Sequence, residues 1–182
     1  AYHSKGAAMR YIMLDTETTG LSTKKGARIV EIGAVEVDER GQEIGRFHHY
    51  INPQCAIPQQ VVRIHGIDDE MVKDKPIFSD IAQDFLSFIA GATLVIHNAP
   101  FDLSFIEHEL ALCHQPCIAT IPVVDTLALA RKHFPKQRNT LDALCERFDI
   151  DRGHRQLHGA LLDAQLLAEV YAVMIECENR EG

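Results

Sequence analysis

The sequence predicts an α/β domain, a mixed sheet flanked by helices. Three observations predict it. Residues 28–51, RIVEIGAVEVDERGQEIGRFHHYI, alternate apolar and polar positions on both sides of a DERG turn, the pattern of an antiparallel hairpin. Residues 93–98, TLVIHN, form a short, nearly all-apolar strand, as expected where both faces of a sheet are covered. Several further segments carry apolar residues at helical spacing. With 182 residues, 46% hydrophobic and 24% charged, the chain suits one well-buried domain and is short for two.

The elements follow in order. Residues 1–9, AYHSKGAAM, are small and polar and read as an appended remnant or disordered terminus, with Met9 as a plausible start. The domain proper is expected over 10–177, with 178–182 frayed. Residues 11–16 read as a strand beside the hairpin. Residues 58–72, PQQVVRIHGIDDEMV, read as irregular, with short helical turns at most. Over 77–91, Ile77, Ile81, Phe85, Phe88 and Ile89 share a helical face, and Gly91 stops the helix. Asn98 is placed to cap the helix after TLVIHN, with Pro100 tolerated in its first turn. CHQPC at 113–117 lacks a second pair for zinc and reads as a helix end and loop. Residues 125–134 form a helix ending before Pro135. Residues 140–148 form another, opened by Thr140, and 157–176 form the long last helix.

The bulk properties exclude several classes. A net charge of −8 argues against a coat of positive charge gripping duplex nucleic acid, while leaving room for clustered acids and a local basic patch. Five cysteines, an odd number without a dense framework, fit a reducing cytoplasm. No apolar run approaches the roughly 20 residues that span a bilayer, so no membrane association is expected.

The chemistry begins at YIMLDTETTGL, residues 11–21. An apolar strand runs into two carboxylates. Residues two apart on a strand face the same side, so Asp15 and Glu17 point together and Thr16 points away, provided the strand reaches Glu17. Two like charges about 4 Å apart repel by roughly 4 kcal/mol at an effective dielectric near 20. Either the strand has already ended and both acids are solvated, or a cation compensates. Asp102 stands in the first turn of the helix after TLVIHN, and Asp163 near the start of the last helix, where the macrodipole favours negative charge. Asp163 lies among apolar neighbours in ALLDAQLLA and needs a partner more than an acid on a polar face does. His158 precedes it by five residues, about 140° around a continuous helix. The two would not share a face, and with Gly159 loosening the helix start His158 belongs on the preceding loop.

LDTETTGL, HNAPFD and HGALLDA, in that order, resemble the three motifs of the DEDD-type 3′–5′ exonucleases, histidine subclass. IVEIGAVEV, IHGI, LVIHNAPFD, RNTLDALC and LHGALLDAQLLAEVY resemble in particular the epsilon proofreading subunits of bacterial replicative DNA polymerases. The resemblance runs from Tyr11 to Ala172. It implies a ribonuclease-H-like fold and two divalent ions, Mg²⁺ or Mn²⁺, a choice that suits oxygen-only ligands. By position, Asp15, Glu17, Asp102 and Asp163 match the four metal-binding acids and His158 the general base, a task that imidazole suits near neutral pH. One ion is expected on Asp15, Glu17 and Asp163, the other mainly on Asp15 and the phosphate, with Asp102 acting through water. The pair would hold both the attacking and leaving oxygens of an in-line displacement, releasing a nucleoside monophosphate.

The resemblance further implies substrate contacts at Thr16, Thr18, Leu21, Gln60, His65, Asn98 and Phe101. Leu21 matches a wedge between the last two bases, Phe101 matches a stacking position, and Gln60 stands where an acid is usual. For His65 and Phe101, a backbone-satisfied loop histidine and plain core packing stand as alternatives. Arg131, Lys132, Lys136, Arg138, Arg152 and Arg155 are placed to follow a phosphate backbone. Expected partners are a single-stranded or frayed DNA 3′ end, a polymerase catalytic subunit reached through a tail beyond Gly182, and a small accessory subunit. Two other readings share these residues: an RNA-trimming exonuclease and an inactive polymerase-docking module.

Overall fold

The structure, a computed structural model, describes residues 9–153 and 157–181. Among these residues, five strands form one sheet: β1 (Arg10–Thr18), β2 (Ile29–Val37), β3 (Glu43–Tyr50), β4 (Ala92–Ile96) and β5 (Val123–Asp125), in the order β3-β2-β1-β4-β5. β1–β2 and β2–β3 pair antiparallel, β1–β4 and β4–β5 parallel. The mixed sheet read from the sequence is therefore present, with the hairpin at one edge. The short β5, within IPVVD, escapes periodicity because three residues complete barely one alternation.

Among the described residues, seven α-helices surround the sheet: α1 (Gln59–His65), α2 (Asp69–Val72), α3 (Phe78–Ile89), α4 (Ala99–Leu112), α5 (Thr126–His133), α6 (Leu141–Arg147) and α7 (Ala160–Glu181). Strand alternation sorts the core into two layers. Ile12, Leu14, Ile32 and Ala34 pack on one face with Phe85 and Ile89 of α3 and Phe105 and Ile106 of α4. Met13, Val35 and Val37 pack on the other face with Ala164, Leu167 and Tyr171 of α7. α5 and α6 close over the outer side of α7 through Ala130, Leu144, Val170 and Met174.

Residues 58–72 are more ordered than the irregular run expected. Pro58 precedes α1 and Gly66, at φ 74°, ends it by donating its N–H to the Val62 carbonyl. This is the proline-before, glycine-after asymmetry of a short helix. The Asp68 side chain then caps α2 by accepting from Met71 N. Thr140 caps α6 as read, accepting from Ala143 N. Asn98 does not cap α4 with its side chain. It takes a left-handed φ of 66°, which asparagine tolerates, and no side-chain cap bond forms. The last helix runs beyond residue 176 to Glu181, and Glu178 lies 3.4 Å from Lys132 Nζ. The five cysteines are free thiols, and CHQPC follows the end of α4. No described helix is long and apolar enough to cross a membrane.

Candidate active site

β1 does persist to Glu17. Asp15 faces Gly33 and Glu17 faces Glu31 across the β1–β2 ladder, before a register shift at Glu17/Thr18. Asp15 and Glu17 consequently share the sheet face on which α7 lies, and Thr16 takes the other. Asp163, in the first turn of α7 and 6% exposed, meets them there. One carboxylate oxygen from each of Asp15, Glu17 and Asp163 lies within 4.8 Å of the others, and this is the one such metal-ligand group among the described residues. The helix reaches the sheet because β2 offers Gly33. A Cβ at that position would stand 2.4 Å from the Leu161 nitrogen.

Asp102 arrives from the opposite layer. In the first turn of α4, it is held at Oδ2 by both the backbone N–H and the hydroxyl of Thr16, each at 3.0 Å. It stays outside the group of three but next to Asp15, with which it shares a hydrogen bond. The electrostatics are severe. Burial, then the charges of Asp102, Asp163 and Glu17, push the Asp15 carboxyl well above the ordinary carboxylate range. Burial pushes Asp102 up to about 7, against the downward pull of the Thr16 and Asp15 hydrogen bonds. Four acids held this way are stable as anions only beside positive charge. An oxygen-only donor set of this kind fits a hard divalent cation.

His158 sits on the loop before α7, as the spacing argument required. Its side chain is 44% exposed, and Nδ1 is 3.8 Å from Asp163 Oδ2. Its backbone N–H donates to the Ile64 carbonyl at 2.9 Å, which ties the loop to α1.

A cavity of about 750 Å³ opens beside the acids, bounded by Glu17, Leu21, Gln60, Ile64, His65 and Phe101 among others. Leu21 is 88% exposed at its rim and Gln60 is exposed on α1. The ring centroid of Phe101 lies 5.0 Å from that of Phe105, and the residue also lines the cavity. His65 is 6% exposed, with Nε2 3.1 Å from the Thr18 carbonyl and Nδ1 accepting from Ile67 N at 3.0 Å. Both ring nitrogens are thus engaged by backbone, and burial lowers its pKa. Thr18 donates to the Gly20 carbonyl, shaping the turn that carries Leu21. Thr16 holds Asp102. Asn98 is exposed, away from the cavity lining, with its backbone N–H on Asp125 Oδ1.

Arg131, Lys136 and Arg138 are exposed, Lys132 lies beside Glu178, and Arg152 is 3.4 Å from Asp142. Arg155 falls outside the described residues. Two residues that the sequence reading did not single out bear on the site: Gly33, which admits α7, and Glu31, buried opposite Glu17. The available signal was Glu31 and Gly33 inside IVEIGAVEV, a strand that is otherwise apolar apart from Glu36.

Residues 12–171 match the family model described as exonuclease. The chain belongs to the exonuclease family. Among its relatives is the DNA polymerase III subunit epsilon of Rickettsia prowazekii, 53% identical over 171 residues, covering 92% of this chain and 75% of the relative. The subunit of the same name from Escherichia coli K12 is 49% identical over 175 residues, covering 92% and 72%. Among solved structures, exonuclease X in complex with 5′ overhanging duplex DNA superposes with a TM-score of 0.72 at 27% identity, covering 93% of each chain. A structure of exonuclease I shares the fold with a TM-score of 0.77 at 17% identity, covering 93% of this chain and 41% of that one. The chain is accordingly a 3′–5′ exonuclease of a divalent-metal-dependent family, with the ribonuclease-H-like sheet of its neighbours.

Proposed function

We infer that this exonuclease is a proofreading enzyme of a bacterial replicative DNA polymerase, removing nucleoside 5′-monophosphates from single-stranded or frayed DNA 3′ ends. The observation that carries the reading is the convergence of Asp15, Glu17 and Asp163 within 4.8 Å, beside a cavity of about 750 Å³. The relatives at about half identity, named as polymerase subunits, support the partner and the choice of DNA.

Asp15, Glu17 and Asp163 would hold Mg²⁺ or Mn²⁺, with Asp102 steering a second ion through its contact with Asp15. When bound, such ions neutralise the scissile phosphate and acidify water for attack. The chain's own residues do the rest. Thr16 holds Asp102 at a fixed orientation beside Asp15. His158, exposed beside Asp163, takes the proton of the attacking water. Leu21 separates the last two bases, Phe101 stacks on one, and Gln60 reaches the terminal sugar by an uncharged hydrogen bond. His65, fixed by Thr18 and Ile67, braces the cavity wall. A mispaired end unstacks at lower cost than a paired one, which biases excision toward errors. Residues 10–177 act as a single domain, in the cytoplasm, and a small accessory subunit is a further expected partner.

The test is release of mononucleotides from 3′-mispaired DNA, paired DNA and RNA with Mg²⁺ or Mn²⁺, against Asp15→Ala. Proofreading predicts ion-dependent release, fastest from mispaired DNA and absent in the variant. Equal or faster release from RNA would favour RNA trimming. Ion-independent or absent release would favour a docking module.

A further inference from the structure

Glu31 lies on β2 with 2% of its surface exposed, and nothing in the chemistry above uses it. A carboxylate so deep in a fold is costly unless its oxygens are met. Both are met here. Oε1 accepts the Ala160 N–H at 2.8 Å, and Oε2 lies 2.7 Å from Nε2 of His48 on β3. Ala160 is the first residue of α7. Its N–H is one of the donors that a helix start leaves without an intrahelical acceptor, and negative charge is favoured there by the helix dipole. Glu31 is thus a cap supplied to α7 from another element of the fold.

The position of that cap matters. Glu31 faces Glu17 in the β1–β2 ladder, and Gly33, two residues on, faces Asp15. Around Gly33 the backbone of Ala160 and Leu161 comes so close that a Cβ would lie 2.4 Å from the Leu161 nitrogen. α7 therefore begins seated on Gly33 and held by Glu31. Asp163 follows within its first turn, its N–H on the Gly159 carbonyl at 2.8 Å, and His158 stands two residues before Ala160. His48 meets the other oxygen of Glu31 and is itself packed against Tyr50, ring centroids 5.0 Å apart.

We propose that Glu31, oriented by His48, is a positioning residue of this exonuclease. It fixes the start of α7 on β2 and so sets where Asp163 and His158 stand relative to Asp15 and Glu17. The proposal rests on the roles given above to those four residues.

The full chain tests it. In Glu31→Ala, kcat for mononucleotide release is expected to fall about 10- to 100-fold and Mn²⁺ affinity about tenfold, the scale of losing a group that orients a metal ligand. KM for the DNA end should move less than about threefold, since the cavity wall belongs to other elements. Amide hydrogen exchange over 160–163 should rise about tenfold or more. Glu31→Gln keeps an acceptor for Ala160 N–H and should recover most of each loss. His48→Ala leaves Glu31 in place and should cost about threefold or more in kcat, with recovery in His48→Gln.

A purely structural Glu31 would instead lower Tm in Glu31→Ala while kcat and Mn²⁺ affinity of the folded protein stayed at wild-type values, and that result overturns the proposal. Wild-type kcat and ion affinity in His48→Ala overturn it as well, and decide the matter if Glu31→Ala does not fold. Wild-type protein assayed in parallel separates the two readings. If it releases no nucleotide, the proposed function fails, while hydrogen exchange at the start of α7 still reports on the clamp.

Discussion

The carboxylate centre draws its members from both ends of the chain, Asp15 and Glu17 from β1 and Asp163 from α7, and adds Asp102 from the opposite layer of the sheet. The cavity beside it is built mainly from two nearby stretches, residues 16–27 and 55–65. The centre is charged, tightly held and set against itself: burial and three neighbouring acids drive Asp15 toward protonation. The cavity is open at its rim, with Leu21 88% exposed, and of the four acids Glu17 alone lines it. The contrast teaches that the fold is strained where an ion would be held and relaxed where a base would be held. Substitutions in the two regions should therefore separate activity from stability in opposite ways.

The largest expected effect comes from breaking the centre. Asp15→Asn should lower nuclease turnover about a thousandfold or more, the several kcal/mol that ion-based charge stabilisation supplies. The same change removes a source of repulsion, so its Tm in the presence of a chelator should rise. Lower Tm with intact turnover would reverse the comparison. His158→Ala, beside the centre but outside the acid group, should cost about 10²- to 10⁴-fold in kcat while Mn²⁺ affinity persists. Equal loss of ion affinity would move His158 into the ion-holding set.

A pH titration sharpens the contrast without mutation. An unfolded carboxyl titrates near about 4, whereas Asp102 is pushed up to about 7 by burial and Asp15 is also raised. Between those values the folded chain binds more protons than the unfolded one, so with a chelator present stability falls as pH rises from about 4 toward about 7. Divalent ions should cancel that fall, adding about 2.7 kcal/mol at a hundred times their Kd. Thermal melts across this range, with and without Mg²⁺, measure it. The smallest effect belongs to the cavity. Leu21→Ala should raise KM for the DNA end about tenfold, with Tm unchanged, because the side chain gains burial only against bases.

The same division explains what could be read in advance. The hairpin and α3 followed from period, because each repeats its signal over several alternations or turns. The five catalytic candidates were legible through motif order, and Asp163 also through its apolar neighbours. The seat beneath them was not. Gly33 and Glu31 act on Ala160 and Leu161, at the far end of the chain, and local patterning cannot show what a glycine admits. The side-chain cap expected of Asn98 failed because its backbone turned left-handed, a conformation that asparagine tolerates. β5 was too short to carry a period.

The central claim is that Asp15, Glu17 and Asp163 together hold a divalent ion at which a DNA end is cut. Titration of the protein with Mn²⁺, followed by electron paramagnetic resonance, tests it directly. The account predicts saturable uptake by the wild type at neutral pH and loss of that uptake in Asp163→Asn, with nuclease activity appearing over the same Mn²⁺ range. Uptake unchanged by Asp163→Asn, or nuclease activity without bound Mn²⁺ in a chelated sample, would contradict it.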